Sequence, residues 1–220
     1  GSGGTVVSAK NGELNGVAIQ PNGRIVAVGT GSPHITLMRV LADGKLDPTF
    51  GNSGYASLGS GSAASSKGLG LVLQSDGKIV AAGSANSSGT LFRYLGDGTL
   101  DNSFSSNGQA AAPETSTLYG VALQTNGSIV GAGTRTNTDP DMFLFRTDAN
   151  GAPDTGLGGA EGKSYNVGVP DYAYGMALDS AGKIVMAGTD GSGMEKYAVV
   201  RVLPGGDLDS AFGTGGIVKG

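Results

Sequence analysis

The sequence contains no cysteine, no tryptophan and one histidine, and no apolar run approaches the ~20 residues that a membrane-spanning helix needs. Without cysteine there can be no disulfide, no Cys-based zinc site and no thiol nucleophile. The lone histidine, His34, leaves a His-based triad one candidate base and rules out a multi-His metal site. Charge is sparse, with 14 Lys+Arg against 18 Asp+Glu, a net −4 and no basic run. Nucleic acid and anionic membrane are therefore poor partners. No segment keeps a 3.6-residue apolar period over ten or more positions, which predicts essentially no helix. The opening Gly1-Ser2-Gly3-Gly4 shows no signal-peptide pattern.

What is abundant is glycine, 42 of 220 residues, against an average share of roughly 7%. The glycines follow no Gly-X-Y period. They recur at fixed places among β-branched residues, the mark of tight turns between short strands. Four segments align: Gly16 to Thr30, Gly70 to Ser84, Gly120 to Thr134 and Gly175 to Thr189. Their turn glycines, Gly23, Gly77, Gly127 and Gly182, are spaced by 54, 50 and 55 residues. Each segment reads as strand a, turn, strand b. Asn22-Gly23, Asp76-Gly77 and Asn126-Gly127 predict two-residue type I′ hairpins, with positive φ at both central residues. Ala181-Gly182 departs from that pattern. A third apolar run, strand c, carries Arg39, Arg93, Arg146 or Arg201. The motif Leu46-Asp47-Pro48-Thr49-Phe50-Gly51 follows, echoed at Leu100 to Phe104 and Leu208 to Gly213 and degraded at Pro153 to Gly158. A short strand d then begins near Tyr55, Gln109, Lys163 and Ile217.

Strands a to c are apolar on both faces, as in Ile79-Val80-Ala81-Ala82. A sheet covered on both sides reads this way, and propeller blades are so covered. The fold expected is all-β: a β-propeller of four four-stranded blades of about 55 residues, as a four-bladed closed disc or part of a larger propeller. A β-helix is the rival, but its coils are shorter than this repeat. The chain reads as one domain, with repeats at about 10–58, 66–112, 117–167 and 172–220, and 3–9 as an extra outer-type strand.

The pattern Ala-Leu-Gln-x-Asn/Asp-Gly-Lys-Ile-Val-x-Ala-Gly, an Arg-containing strand and Leu-Asp-x-x-Phe-Gly resembles the delta-60 repeat of bacterial surface and secreted proteins. The likeness is carried by Leu73 to Gly83, Arg93 with Tyr94, and Leu208 to Gly216, and it recurs across nearly the whole chain. It implies a β-propeller and an extracellular setting, but no activity and no catalytic residues. The third copy lacks the Leu-Asp-x-x-Phe part. Low lysine with abundant Gly, Ser, Thr and Asn agrees with a surface or secreted setting.

A ring of Arg39, Arg93, Arg146 and Arg201 has the chemistry to bind an anion. A side chain present in every copy is more simply a requirement of the blade, paired with Asp47, Asp101, Asp154 or Asp209. These aspartates also suit Asx-turns, and Phe50, Phe104 and Phe212 should fill the space between blades. Neither Asp139-Pro140-Asp141 nor Asp97 to Asp101 reproduces a calcium loop, so no metal and no cofactor is expected. Glycosidase chemistry needs two facing carboxylates. Candidates outside the repeat pattern are Glu13, Glu114, Asp139, Asp141, Glu161, Asp171, Asp190 and Glu195, and no spacing pairs them. No catalytic residue is assigned.

The b–c and d–a connections differ between copies while the a–b turns repeat. In an up-and-down blade the divergent segments share one face, and variable loops on a rigid scaffold are where recognition usually resides. That face should hold His34, Arg135, Asp139, Asp141, Tyr172, Met194, Glu195 and Lys196, with Tyr119 and Tyr174 nearby. Tyrosines beside mixed charges suit a glycan or a protein loop. The reading is a non-enzymatic recognition or adhesion module, part of a larger surface protein, binding a surface glycan or protein of another cell. A structural spacer is the alternative, and a carboxylate-based glycan-active enzyme comes after it.

Overall fold

The computed structural model describes residues 4–6, 10–31, 34–58, 65–136, 138–191 and 196–220. It contains four four-stranded antiparallel sheets, each built from consecutive strands. Blade 1 is β1 (Gly12–Ile19), β2 (Ile25–Gly31), β3 (Ile35–Val40) and β4 (Tyr55–Ser57). Blade 2 is β5 (Ser66–Leu73), β6 (Ile79–Ala85), β7 (Ser88–Tyr94) and β8 (Gln109–Glu114). Blade 3 is β9 (Ser116–Leu123), β10 (Ile129–Thr136), β11 (Pro140–Thr147) and β12 (Lys163–Tyr165). Blade 4 is β13 (Tyr172–Leu178), β14 (Ile184–Thr189), β15 (Tyr197–Val202) and β16 (Ile217–Lys219). The only helical pieces among the described residues are two single 3-10 turns, Thr155–Leu157 and Gly159–Glu161, in the third c–d connection. Most of the extra strand expected at 3–9 lies outside the described residues.

The a–b turns differ from expectation. Gly23, Gly77, Gly127 and Gly182 have positive φ, but Asn22, Asp76 and Asn126 do not. Gly23 N donates to Gln20 O at 2.9 Å and Gln20 N to Arg24 O at 2.8 Å. The connection is thus a three-residue loop, a type I turn closed by a left-handed glycine, not a type I′ pair. The side chains stiffen it, since Asn22 Oδ1 accepts from Arg24 N and Asn126 Oδ1 from Ser128 N. In the fourth copy Asp179 takes over, with Oδ1 accepting from both Ala181 N and Lys183 N at 2.9 Å. Loss of the Asn/Asp-Gly dipeptide therefore leaves that turn fully specified.

Sheets stack face to face in chain order: β1 meets β5, β5 meets β9 and β9 meets β13. Between blades 1 and 2, Val28, Leu37 and Phe50 pack on Ile79, Phe92 and Tyr94. Val80, Leu91 and Phe104 meet Leu118, Ile129 and Phe143 at the next junction, and Val130 and Leu144 meet Ile184 and Val200 at the last. Strands covered on both sides are buried throughout, as in β6 and β7. β15, with one face open, alternates between exposed or partly exposed and buried positions. β13 does not return to pack on β1, whose Val17 and Ile19 are 67% and 70% exposed. The closed four-bladed disc, one of the two arrangements anticipated, is not formed: the four sheets stack without closing.

The repeated arginines are structural. Nε of Arg39, Arg93, Arg146 and Arg201 lies 2.8, 2.8, 2.8 and 2.7 Å from Oδ2 of Asp47, Asp101, Asp154 and Asp209. The other carboxylate oxygen closes an Asx-turn onto the residue two places on. Arg39, Arg93 and Arg201 stack on Phe50, Phe104 and Phe212, with the guanidinium carbon 4.4–4.5 Å from the ring centroid. In the third copy Leu157 takes the phenylalanine's buried place, and the corner keeps its form because Asp154 keeps its bonds. The same arginines also reach across the junctions. Arg39 Nη1 donates to the carbonyl of Gly96 in blade 2, Arg93 to Ala149 in blade 3 and Arg146 to Pro204 in blade 4.

Removing one partner of a buried ion pair strands the other charge. Arg93→Ala should cost about 3–5 kcal/mol, whereas Arg201→Ala, at the open end with a more exposed side chain, should cost about 1 kcal/mol; urea unfolding of the two variants measures both. The carboxylates also set an acid limit. Burial pushes the Asp47 carboxyl up, but the Thr49 hydroxyl and amide, then Arg39 and Arg24, outweigh it and hold it below its ordinary 3.8. Asp101 follows the same balance through Ser103 and Arg93. At Asp209 the Lys183 ammonium is the largest influence and lowers it. Because the native carboxyls are the stronger acids, their contribution is present above 3.8 and lost as pH falls through the lowered native values. Urea midpoints should thus hold down to about pH 4 and drop steeply below it.

Candidate functional site

The inner strands carry a feature that apolar patterning does not reveal. Each skips one pairing at the same register, between Leu14 and Gly16, Gly68 and Gly70, Leu118 and Gly120, and Ala173 and Gly175. The extra residues are Asn15, Leu69, Tyr119 and Tyr174. A β-bulge re-aims the side chain it carries. Here it presents a position of the inner strand whose chemistry changes from copy to copy, as does the position two residues earlier, at Glu13, Lys67, Thr117 and Tyr172. The glycine after each bulge allows the next inner strand to approach. A Cβ on Gly16 would sit 3.1 Å from Gly70 Cα, and one on Gly70 would sit 2.9 Å from the Tyr119 carbonyl.

In blades 3 and 4 the bulged residues are both tyrosines, and they meet. The Tyr119 and Tyr174 rings lie edge to face at 5.8 Å, and Tyr172 stacks on Tyr174 at 6.2 Å with an interplanar angle of 6°. Tyr174 is exposed, and Tyr119 and Tyr172 are partly buried. Burial raises the Tyr119 hydroxyl above its ordinary 10.0, and the neighbouring Tyr174 and Tyr172 phenolates add to the rise. The bulges sit towards the d–a end of their strands, on the same side as the b–c loops.

The other anticipated residues divide. Arg135 Nη2 pairs with Glu161 Oε2 at 3.3 Å, an acidic residue assigned above only to the glycosidase candidates. Asp141 accepts from Asn166 Nδ2 at 3.3 Å. Its carboxyl is raised, first by burial and then by the charges of Asp171 and Asp139, against the lowering bond from Asn166. These three carboxylates therefore share one neighbourhood beside the tyrosines' d–a connection. Asp171 is fully buried, with Oδ2 accepting from Val167 N and Oδ1 sealed without a partner, so it anchors the loop and does not face a ligand. Asp171 N donates to Pro140 O at 2.7 Å, which ties the d–a connection of blade 4 to the b–c loop of blade 3. Lys196 is exposed and accepts from Asp190 N at 3.0 Å through its carbonyl. Met194 and Glu195 lie outside the described residues. His34 is not joined to the tyrosines; it lines a separate cavity of ≈ 370 Å³ in blade 1 with Lys10, Asn11 and Thr36.

Another cavity, of ≈ 590 Å³, opens on the opposite side, where the a–b turns of blades 1 to 3 converge around Gln20, Gln74 and Gln124. Its lining residues repeat from copy to copy, so differences between the copies do not mark it. Among the described residues no group of three or more His, Asp or Glu is placed to hold a metal ion. In an ultraviolet alkaline titration, tyrosine ionisation should extend above 10.0 through Tyr119. Tyr174→Phe should lower the Tyr119 midpoint by removing one of the phenolates that oppose it.

The model of the family described as Domain of unknown function (DUF5122) beta-propeller matches residues 20–50, 74–104 and 124–157. No curated protein sequence matches the chain. A protein of unknown function from Bacteroides caccae is similar in structure at 15% identity, with a TM-score of 0.57, over 97% of this chain and 73% of that one. Two structures of virginiamycin B lyase from Staphylococcus aureus are similar as well. One is selenomethionine-substituted, at 18% identity and a TM-score of 0.55 over 94% of this chain and 54% of that one. The other is a catalytically inactive form with quinupristin, at 16% identity and a TM-score of 0.60 over 98% and 57%. The chain thus spans a little over half the length of the lyase. At such identities the likeness carries the fold and nothing further. The matched segments run from the a–b turn to the c–d corner of each of the first three blades, so these stretches are similar to the DUF5122 repeat, and the fold is that of a β-propeller.

Proposed function

We propose that this propeller is a recognition module, and that it binds a polar partner, a glycan or a protein loop, on the face that holds Tyr119, Tyr172 and Tyr174. One observation carries the reading. A bulge at the same register in every inner strand displays a variable residue, in two neighbouring blades that residue is a tyrosine, and Tyr172 joins them in a three-ring cluster at 5.8 and 6.2 Å. Exposed aromatic faces stack on the apolar faces of sugars and on peptide planes, while phenolic hydroxyls supply hydrogen bonds. Asp139, Asp141 and Lys196 add charge of both signs at the rim, a composition suited to a polar ligand rather than an apolar one. The glycine-, serine- and threonine-rich surface suits display outside the cell as part of a larger surface protein.

Two of the similar structures are of an enzyme, virginiamycin B lyase, and at 18% and 16% identity the likeness carries the fold alone. The spacer reading draws on the junctions, which would hold equally well in a protein that binds nothing. The two readings part on a glycan array and on pull-down from bacterial surface material. Binding is expected, and Tyr119→Ala with Tyr174→Ala should reduce it at least about tenfold, the size of a lost aromatic hot spot, without lowering the urea midpoint of Arg93-dependent unfolding. Absence of binding, or binding indifferent to both substitutions, would leave the spacer.

A further inference from the structure

We propose that two copies of this chain associate head to tail, with the exposed β1 strip of one seated on the open β14–β16 face of the other, so that eight blades complete a ring. The two open ends are the two halves of a junction that the chain already forms three times. At each interior junction an arginine of the earlier blade donates to a carbonyl in the turn after strand c of the next, at Gly96, Ala149 and Pro204. Arg201 holds the same posture, 2.7 Å from Asp209 and 4.4 Å from the Phe212 centroid. Among the described residues its outer nitrogens have no acceptor. The matching acceptor position in blade 1 is Ala42, which is exposed and whose carbonyl receives no donor from the described residues. A second bond supports the first two junctions, from Gly51 N to Asp97 O at 2.7 Å and from Ser105 N to Asn150 O at 2.8 Å.

Shape agrees with the hydrogen bonds. A Cβ on Gly16, Gly70 or Gly120 would meet atoms of the following inner strand at 3.1 Å or less, whereas one on Gly175 meets nothing within 4 Å. The counterparts of Val17 and Ile19 are Leu71 and Leu73, Val121 and Leu123, and Met176 and Leu178, all packed against the preceding blade. In blade 1 these two side chains are exposed. Across the gap, Tyr197 is 80% exposed, and Val218 is exposed beside Val199. On the outer part of the blade 1 face Met38, Val40 and Tyr55 are already buried in a cluster of their own with Ile25 and Leu46. What remains open is the inner strand, one of the elements that every interior junction uses.

The occupant committed to is a second copy, because one chain carries both complementary halves. Such a heterologous contact propagates until the rotation closes it. Four blades from each of two copies make eight, within the range that propellers commonly take.

The test is mass by light scattering on the isolated chain, with Val17→Asp and Tyr197→Asp variants. Both positions are exposed in the single chain, so both variants should keep the unmodified far-ultraviolet circular dichroism and urea midpoint of the monomer. The wild type should run at twice 21.6 kDa, each variant alone at the single mass, and an equimolar mixture of the two should regain the double mass through the one intact junction. A wild-type monomer would overturn the proposal and leave the ends to further repeats of a longer chain. A dimer indifferent to either substitution would overturn the head-to-tail contact. Assemblies that grow with concentration beyond two copies would overturn the closed ring.

Discussion

The structure depends on one polar device set in an apolar stack. An arginine from strand c is neutralised by an aspartate of its own blade and, in three of the four copies, laid on a phenylalanine. Its remaining nitrogen is then spent on a carbonyl of the next blade. Burying a guanidinium is tolerable only when its donors and charge are satisfied. Two of the requirements are met within the repeat, and the third is met only by a neighbour. The same residue therefore stabilises a blade and specifies that another blade follows it. Apolar burial supplies most of the driving force across the junction, but it has no direction; the arginine fixes register and distance.

The inner strands obey a second constraint, that of close approach. Glycine at the position after each bulge lets neighbouring backbones come together, so Gly16, Gly70 and Gly120 have steric reasons for recurring. The bulged residue before it is under no such requirement and changes from Asn15 to Leu69, Tyr119 and Tyr174. Constraint and freedom thus sit side by side in one strand. This places variation next to a rigid surface, the arrangement in which ligands are usually held. The tyrosine cluster arises because bulges in adjacent blades are in register, not because the tyrosines are near in sequence.

Both themes meet at the ends. Blade 4 offers an arginine with a free donor and a glycine with open space; blade 1 offers an unused carbonyl and an exposed apolar strand. An unfilled junction differs in kind from an ordinary surface, since its polar groups are oriented and its apolar groups match those buried elsewhere in the same fold.

Read alone, the sequence determined what is local or repeated. The four a–b–c–d units, the strand positions, the near absence of helix and the Arg–Asp pairing at a separation of eight residues all follow from spacing within a copy and comparison between copies. Tertiary structure decided what depends on distance between copies. It set the three-residue form of the a–b turns, where Asn22 keeps negative φ because the glycine alone supplies the left-handed step. It set the bulges, which need a partner strand before a skipped pairing means anything. It joined Tyr119, Tyr172 and Tyr174, separated His34 from them and turned Asp171 inward as an anchor. It also left the stack open, since closure is a sum of rotations between sheets and no single repeat encodes that sum.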